Sequence, residues 1–300
     1  MQTANTADQS ASKPAGARKS AWLLDHAKDV YTQTGEDGIL EQILSMLPDT
    51  DQWCVEFGAW DGKHLCNSRN LILNKGYSAV MIEGSEAKAK ELTQTYKDYP
   101  GVIPMNAFVG YTKDDNLDTL LAKTDIPMNF DFLSIDVDGN DYHIWKAMSK
   151  YQPKIVCIEY NPTMATGVHF VQEAGPTVMH GSSPSAIKAL GVDKGYSLVC
   201  VTDLNLIFVK NEYAALFEIA DNSLEALRPN EDFVTHMFCG YDGRILLQGS
   251  KRMPWHGIDI KPPMMEQIPE SLQTFPDDYS FMQKLRFGIF KTIRKISGFN

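Results

Sequence analysis

Short, almost continuously apolar runs alternate along this chain with segments whose apolar residues recur every three or four positions. Such runs are typical of strands covered on both faces of a parallel sheet, and the second spacing predicts amphipathic helices between them. The predicted strands are 53–57, 79–82, 102–105, 132–135 and 155–158, followed by an antiparallel hairpin of 197–201 and 205–209. This alternation predicts a doubly wound α/β domain with a mostly parallel sheet.

The remaining segments divide the chain into further parts. Helices are predicted at 36–47, from about position 67, at 142–148 and at 182–190. Helical spacing recurs at 213–227, whereas 228–276 is rich in Gly and Pro with little periodicity. We therefore predict a disordered tail over 1–20, an α/β domain over 21–210, an extension over 211–280 and an amphipathic helix over 281–300.

Net charge and cysteine content indicate which partners and which cellular compartment to expect. The chain has 300 residues, 43% of them hydrophobic, and a net charge of −10. An acidic chain lacks the basic surface that binds phosphates, so we expect no nucleic-acid partner. Five cysteines without a C-x-x-C pair are typical of buried free thiols in a reducing cytoplasm, where we expect the protein. In the tail, Lys13, Arg18 and Lys19 outnumber Asp8, which leaves an organelle transit peptide as an alternative.

The last twenty residues differ in charge from the rest of the chain. Segment 281–300 holds five cations and no acidic residue, so the other residues together carry −15. The cations are Lys284, Arg286, Lys291, Arg294 and Lys295, and the apolar stripe beside them is Met282, Leu285, Ile289, Ile293 and Ile296. Such a helix binds either an anionic membrane, here the inner face, or the protein's own acidic surface.

A small-residue loop follows the first predicted strand. In segment 55–62 (VEFGAWDG), Glu56 precedes a turn containing Gly58, Ala59, Asp61 and Gly62. Small residues let a nucleoside-bearing ligand approach the backbone, and a carboxylate at a strand end binds cationic or amino groups. Trp60 stands where a G-x-G-x-x-G dinucleotide motif needs its second glycine. The loop therefore predicts a nucleoside site other than a NAD site, with a purely structural glycine turn as the alternative.

Glu83 and Gly84 end the second predicted strand. A carboxylate at this position in an open α/β sheet commonly accepts two hydrogen bonds from the hydroxyls of a ribose. We predict Glu83 as the ribose ligand. A solvated acid at a strand end is the alternative.

Carboxylates also crowd the end of the fourth predicted strand, at Asp136, Asp138 and Asp141. Since strands 132–135 and 155–158 should be neighbours, Asp136 should lie near Glu159 and Asn161. Oxygen ligands from Asp136, Asp138, Glu159 and Asn161 would suit Mg²⁺ or Ca²⁺, and the cation would lower the pKa of a bound hydroxyl group. Hydrogen bonding without a metal is the alternative.

Two histidines lie in the loop that follows the fifth predicted strand. Loops at the carboxyl ends of strands line the ligand crevice, so segment 161–181 is predicted to cover the substrate. Either His169 or His180 would then serve as a general base, and the alternative is that both are surface residues.

These motifs together resemble the FkbM-type branch of class I S-adenosylmethionine-dependent methyltransferases, a group associated with O-methylation of sugars and natural products. The resemblance covers about 31–210 and lies in segments 31–38, 55–62, 82–84, 132–145 and 158–161. It implies a seven-stranded, Rossmann-like sheet and an enzyme that binds S-adenosylmethionine and methylates a small-molecule or glycan acceptor. Polysaccharide biosynthesis is the setting that it suggests.

The resemblance also implies roles for individual residues. The cofactor would lie above Glu56, Gly58 and Gly62, with its ribose on Glu83 and its methyl group directed toward Asp136 and Glu159. The N-terminal residues Gln33, Glu36 and Asp37 would close over this site.

Two other functions compete with this one. The run ending in Asp136 and Asp138 resembles the first motif of haloacid-dehalogenase phosphatases, in which the first Asp is a nucleophile and the second a general acid. That family also needs a later Lys and an acidic pair after another strand, but no convincing acidic pair of that kind is found, and the motif lies in mid-chain after three strands. A non-catalytic scaffold with the same fold is the other alternative.

Overall fold

The structure is a computed structural model that describes residues 19–228 and 230–298. Its helices are α1 (Glu36–Met46), α2 (Arg69–Lys75), α3 (Glu86–Thr95), α4 (Leu117–Leu121), α5 (Asp141–Ala147), α6 (Pro184–Asp193), α7 (Leu224–Leu227) and α8 (Phe281–Ile296). Its strands are β1 (Trp53–Phe57), β2 (Ser78–Glu83), β3 (Val102–Asn106), β4 (Phe132–Ile135), β5 (Ile155–Glu159), β6 (Tyr196–Val201), β7 (Asn205–Lys210), β8 (Thr235–Cys239), β9 (Ile245–Gly249), β10 (Arg252–Met253) and β11 (Ile258–Asp259).

The main sheet has seven strands in the order 3-2-1-4-5-7-6. Neighbours among β1 to β5 run parallel, and β7 runs antiparallel to both β5 and β6. The predicted doubly wound, mostly parallel sheet with a closing hairpin is therefore confirmed. Because the five parallel strands point the same way, the loops that follow them meet at one edge, where ligands bind in open α/β sheets.

Helices cover both faces of this sheet. On one face Val55, Phe57 and Ile82 pack with Leu120 of α4 and Trp145 of α5. On the other face, α1, α2 and α3 contribute buried apolar residues, and the strands contribute the alternate positions. Residues of this second cluster include Ile39, Leu40, Ile43, Leu71, Leu92, Cys54, Ala79, Met81 and Phe132. Burial on both faces explains why the strands appear in the sequence as continuous apolar runs.

Local signals set several helix ends. The Ser183 side chain accepts a hydrogen bond from the Ala186 amide, and Pro184 occupies the first turn of α6. Helix α2 ends at Gly76, which adopts the left-handed backbone common at helix C-termini. Sequence-based bounds for 36–47, 142–148 and 182–190 consequently lie within a few residues of the observed helices.

The region after β7 differs from prediction. Segment 213–227 is not one helix: a 3₁₀ helix over Asn211–Phe217 ends at Glu218, whose φ of 51° is left-handed, and α7 follows. A left-handed residue interrupts helical hydrogen bonding, which the apolar spacing does not reveal. Segment 228–276 contains two hairpins that were not predicted.

The described chain forms two compact units, one of 19–162 with 166–228 and one of 163–165 with 230–298. The second unit contains both small hairpins and α8, and its few buried apolar residues include Val234, Ile245, Leu272 and Tyr279. The bounds 21–210, 211–280 and 281–300 stay predictions, and most of the predicted tail lies outside the described residues. None of the described helices combines the length and apolar character needed to cross a membrane.

Cysteine burial follows the prediction at four of five positions. Cys54, Cys66, Cys157 and Cys200 are buried free thiols, whereas Cys239 in β8 is exposed. Burial, followed by the charge of nearby carboxylates, raises the pKa of Cys54, Cys66 and Cys157. Neutral buried thiols behave as small apolar side chains, so these cysteines contribute to packing.

A buried ion pair stabilises the amino edge of the sheet, opposite the predicted site. Lys154 Nζ lies 2.8 Å from a carboxylate oxygen of Asp131, and both side chains are buried. Asp131 also accepts hydrogen bonds from the amides of Asp51 and Gln52 and from the Tyr77 hydroxyl. Each charge is thus compensated by partners within the protein, as burial requires.

Candidate active site

Strand register brings four carboxylates to the carboxyl edge of the sheet. Phe57 pairs with Ile82 and with Ile135, and Ile135 pairs with Ile158. The predicted ligands Glu83, Asp136 and Glu159 each follow one of those paired residues, and Glu56 precedes Phe57. The sheet therefore gathers the acids that the sequence places at its strand ends.

The small-residue loop packs tightly between β2 and the loop after β4. Gly58 has a φ of 71°, and a Cβ added there would overlap the carbonyl oxygen of Asp136. Ala59 donates its amide proton to the Ile82 carbonyl, and Asp61 accepts hydrogen bonds from the Lys63 and His64 amides. Only glycine fits at position 58, because both the backbone angle and the space exclude a side chain.

The end of the small-residue loop, at Gly62, is packed as tightly as its start at Gly58. Gly62 has a φ of 72°, and a Cβ there would clash with the side chains of Tyr96 and Leu92. Arg69 donates to the Gly62 carbonyl at 2.7 Å, and its guanidinium lies 5.0 Å from the ring centre of Tyr31. Arg69 thereby links the N-terminal segment to the small-residue loop, a role that its sequence position did not reveal.

Glu56 organises the chain that follows the loop. One carboxylate oxygen accepts the Asn67 amide at 3.0 Å. The other accepts the Ser68 amide at 2.8 Å and hydrogen bonds from the Cys66 thiol and the Ser68 hydroxyl. Both oxygens of Glu56 therefore accept hydrogen bonds from within the protein, and these bonds hold residues 66–68 in place. Direct contact of Glu56 with a cofactor stays a prediction.

Glu83 has capacity for a ligand. Its two oxygens accept the Trp60 amide at 2.9 Å and the Ser85 amide at 2.7 Å, one hydrogen bond each. A carboxylate oxygen can accept two hydrogen bonds, so each retains room for a hydroxyl group. The side chain is 7% exposed and is held rigidly by these amides.

An exposed aromatic ring lies beside Glu83. Phe108, shortly after β3, is 79% exposed, and its ring leaves no room for a side chain at Gly84. Phe108 was not among the predicted site residues, although it lies in the loop that follows a predicted strand, where ligand-binding residues are expected. An apolar surface next to a polar ribose position is an arrangement that suits a nucleoside.

Asp136, Asp138 and Glu159 form a cluster whose carboxylate oxygens lie within 4.8 Å of one another. Burial, followed by the charges of Asp141 and Asp138, raises the pKa of Asp136. Burial and the charge of Asp136 raise the pKa of Glu159, which also hydrogen-bonds to Asp136. Adjacent carboxyls in a low dielectric do not both ionise, so the pair retains a proton at neutral pH.

The other predicted members of this group have structural partners. Asp141 is buried and accepts the Val137 amide at 2.8 Å and the Gly139 amide at 2.9 Å, which fixes the turn between β4 and α5. Asn161 donates its amide proton to Ser182 and its side-chain NH₂ to the carbonyl of His180. Metal ligation by Asn161 stays a prediction, as does ligation by the three acids.

The loop after β5 is organised by Gln172, which the sequence did not single out. Its buried side chain donates to Asn140 Oδ1 and to the Val178 carbonyl, and it accepts the His180 and Gly181 amides. His143 Nε2 lies 2.8 Å from the Gln172 carbonyl oxygen. These contacts attach the predicted covering loop to the turn that carries Asp138.

The two predicted bases in that loop are exposed. His169 and His180 both present their side chains to solvent. The backbone of His180 forms hydrogen bonds with the side chains of Gln172 and Asn161. A role for either imidazole as general base stays a prediction.

Glu36 and Asp37 are buried in the N-terminal segment, whereas Gln33 is exposed. Glu36 accepts hydrogen bonds from the Thr202 hydroxyl at 2.8 Å and the Asn205 amide group at 2.9 Å. Asp37 accepts the backbone amides of residues 30–32 through one oxygen. Both acids therefore hold the N-terminal segment in place through hydrogen bonds within the protein. Cofactor contact by Gln33, Glu36 and Asp37 stays a prediction.

The strand order 3-2-1-4-5-7-6 with an antiparallel β7 defines the class I methyltransferase fold, a Rossmann-like arrangement. No family model matches the chain, and no curated protein matches it. Solved structures with this kind of fold do match. The citrinin polyketide synthase CMeT domain aligns with a TM-score of 0.42 and 16% identity, covering 61% of this chain and 55% of the other.

Two further matches are structures with bound S-adenosylhomocysteine. The N-terminal domain of EvdMO1 with SAH bound has a TM-score of 0.39 and 10% identity, covering 60% of this chain and 82% of that one. TrmK of M. capricolum in complex with SAH has a TM-score of 0.37 and 12% identity, covering 57% and 67%. This chain spans about half the length of the citrinin synthase chain that it matches.

Proposed function

We propose that this protein is an S-adenosylmethionine-dependent methyltransferase. The observation that carries the proposal is the placement of the small-residue loop at the carboxyl edge of the sheet. There it lies between Glu83, the predicted ribose ligand, and the acidic pair Asp136 and Glu159. The fold places its ligand crevice at this same edge.

The residues present fit a nucleoside cofactor. Glu83 offers two acceptor oxygens for ribose hydroxyls, and Phe108 offers an exposed ring beside them. When bound, the cofactor would supply an electrophilic sulfonium methyl group. The task left to the protein is to hold the acceptor in line with that group and to take its proton.

Asp136 and Glu159 suit the removal of that proton. Glu159 retains its proton and hydrogen-bonds to Asp136, so Asp136 is the member of the pair that is available as a base. A pKa raised above the usual carboxyl range makes a stronger base that still ionises near neutrality. We therefore assign the acceptor as a hydroxyl group and the reaction as O-methylation, with sugars favoured by the FkbM resemblance.

A divalent cation is the second form of this proposal. Three carboxylates within 4.8 Å form a donor set that Mg²⁺ or Ca²⁺ accepts, and Asn161 lies two residues from Glu159. A cation there would replace the proton shared by Asp136 and Glu159. We favour the metal-free form, because the shared proton already relieves the repulsion between the two carboxyls.

The phosphatase alternative meets an electrostatic obstacle. The charged groups that dominate the pKa of Asp136 are Asp141, Asp138 and Glu56, all of them carboxylates. A phosphate ester carries negative charge and would be repelled by this cluster. Release of phosphate from a generic ester would reinstate that alternative, and binding of the cofactor without turnover would favour the scaffold.

Calorimetric titration with S-adenosylmethionine tests the cofactor assignment. We expect micromolar affinity for the wild type and at least about tenfold weaker binding for Glu83→Gln, since one of two charge-assisted hydrogen bonds is weakened. Glu86→Gln, on the exposed surface of α3, is the matched control and should bind like the wild type. Absence of binding by the wild type, with and without Mg²⁺, would remove the methyltransferase assignment.

Asp136→Asn separates cofactor binding from chemistry. The substitution removes the base but keeps its shape, so binding should change less than about threefold while methyl transfer falls at least about 100-fold. Transfer is followed with labelled cofactor and a panel of sugar acceptors. Full transfer by the variant would exclude Asp136 as the base.

A further inference from the structure

Helix α8 packs on its own unit through one narrow stripe. It begins at a capping box, in which Ser280 and Gln283 exchange side-chain and backbone hydrogen bonds. Gln283, Phe287, Phe290 and Arg294 recur at intervals of four, three and four residues and are its half-buried positions. Phe287 contacts Tyr279 at 5.5 Å between ring centres, and Arg294 donates to Gln267 Oε1 at 3.1 Å.

A second apolar stripe on α8 remains at the surface. Met282, Leu285, Ile289, Ile293 and Ile296 are all between 52% and 81% exposed. Their spacing of three, four, four and three residues keeps them on one face, away from the packed stripe. Burying side chains of this size is worth about 1.5–3 kcal/mol each, so this face favours contact with an apolar environment.

Cations border the exposed stripe. Lys284, Lys291 and Lys295 follow one another at intervals of seven and four residues and lie on one flank, while Arg286 lies on the other. The described part of this segment, 281–298, contains no Asp or Glu. An acidic chain therefore concentrates positive charge beside a continuous apolar face.

The apolar stripe and its bordering cations together favour some binding partners of this helix face over others. A second copy of α8 would bring the same lysines together, and like charges repel. A nucleic acid would use the cations but would gain little from burying five aliphatic side chains. An anionic bilayer surface accepts both features, because acyl chains take up the apolar stripe and headgroups attract the lysines.

We propose that the exposed face of α8 binds an anionic lipid surface, with the helix lying in the plane of the interface. Met282, Leu285, Ile289, Ile293 and Ile296 enter the boundary between headgroups and acyl chains. Lys284, Lys291 and Lys295 remain at headgroup level. The site in the first unit would then act on acceptors near a membrane, although the lipid contact does not depend on the methyltransferase assignment.

Vesicle flotation of the full chain tests the proposal. The probes are vesicles of 30% phosphatidylglycerol in phosphatidylcholine and vesicles of pure phosphatidylcholine, at about 0.1 M salt. The triple variant K284E/K291E/K295E should partition at least about 100-fold less onto the anionic vesicles, because each surface cation contributes about fivefold. The matched control K97E/K113E/K123E changes net charge equally on exposed positions of the first unit and should retain binding.

The apolar stripe has its own variant pair. Leu285→Ser with Ile289→Ser should weaken binding at least about tenfold, since two aliphatic side chains no longer enter the interface. Met128→Ser with Val192→Ser alters comparably exposed residues of the first unit and should leave binding unchanged. Circular dichroism establishes that each variant retains the helical content of the wild type.

Several outcomes would overturn the proposal. One is failure of the wild type to float with anionic vesicles, and another is equal flotation with both vesicle types. Unchanged binding by either α8 variant has the same meaning. A lipid-free dimer in sedimentation that Leu285→Ser with Ile289→Ser dissociates would assign the face to a second copy instead.

Discussion

Gly58 and Gly76 have nearly the same backbone conformation in very different surroundings. Their φ angles are 71° and 73°, both left-handed. At Gly58 an added Cβ overlaps the Asp136 carbonyl, whereas at Gly76 nothing lies within 4 Å. The two positions therefore separate the cost of the backbone angle from the cost of crowding at the site.

Alanine substitutions at these glycines should differ in stability. Gly76→Ala should lower the free energy of unfolding by about 1 kcal/mol, the cost of a left-handed alanine. Gly58→Ala adds displacement of the Asp136 backbone and should cost at least about 3 kcal/mol. Urea denaturation measures both values, and equal losses would show that the loop around Gly58 has room to move.

The shared proton of Asp136 and Glu159 predicts a pH effect on stability. Because the folded pKa values are raised above those of the unfolded chain, the folded state binds more protons from about pH 5 upward. The contribution of this pair to stability is therefore present at low pH and is lost as pH rises.

Glu159→Gln should reduce this dependence, because the amide imitates the protonated carboxyl and does not titrate. Relative to the wild type, the slope of unfolding free energy against pH should change by up to about 1.4 kcal/mol per unit between pH 5 and 8. Urea denaturation at several pH values gives the slope, and Glu86→Gln is the control. Parallel slopes for wild type and Glu159→Gln would contradict the shared proton.

At the scale of elements, one buried amide holds the loop between β5 and α6. Gln172 makes four side-chain hydrogen bonds, two of them to the consecutive amides of His180 and Gly181. The loop has little regular structure over 161–183, so these bonds supply much of its order. Loops of this kind are frequently functional because a rigid scaffold positions them.

Gln172→Leu keeps the side-chain size and removes all four bonds. Hydrogen exchange at His180 and Gly181 should accelerate at least about tenfold, since both amides lose their acceptor. Methyl transfer by the variant should show a raised KM with a smaller change in kcat. Gln94→Leu, at an exposed position of α3, should leave both properties unchanged. Unaltered exchange in Gln172→Leu would show that other contacts order the loop.

Elements differ in how far the sequence predicted them. The seven sheet strands were located to within about a residue, because strands buried on both faces need continuous apolar runs. The hairpin of β8 and β9 has mostly exposed positions, yet apolar runs at 237–239 and 245–247 lie on either side of a turn with two glycines, a hairpin signal that the prediction for 228–276 missed. Its strand bonds depend on backbone pairing, which side-chain periodicity does not report.

The candidate site was predicted unevenly for a related reason. The convergence of Asp136 and Glu159 follows from their positions at the ends of adjacent strands. The partners of Glu56, by contrast, lie 10 to 12 residues later in a turn, and those of Gln172 depend on how the loop folds back. Residue type and strand position indicate where a carboxylate lies, but its hydrogen-bond partners decide whether it is available.

In the first unit as a whole, the carboxyl edge and the amino edge of the main sheet contain different kinds of residue groups. The carboxyl edge gathers the candidate site, and the amino edge contains the buried pair of Lys154 and Asp131. Removing one member of such a pair leaves an uncompensated charge, which typically costs 3–5 kcal/mol. Stability and ligand binding should therefore respond separately to substitutions at opposite edges.

Lys154→Met tests this separation. The variant should lose about 3–5 kcal/mol of unfolding free energy, because Asp131 remains buried without its cation. Affinity for S-adenosylmethionine should stay within about twofold of the wild type while the protein is folded. Lys150→Met, at an exposed position nearby, controls for the loss of a lysine and should alter neither value. A marked loss of affinity in Lys154→Met would show that the edges are coupled.

The contacts of Glu36 also determine when the first unit becomes complete during synthesis. One carboxylate oxygen, Oε1, accepts hydrogen bonds from Thr202 and Asn205, which lie 166 and 169 residues later in the chain. A ribosome adding 5 to 20 residues per second needs about 10 to 30 s to cover that interval. Until the β6–β7 hairpin emerges, Glu36 lacks these partners and the sheet lacks two strands. These two contacts of Glu36 can therefore form only after β6 and β7 have been made.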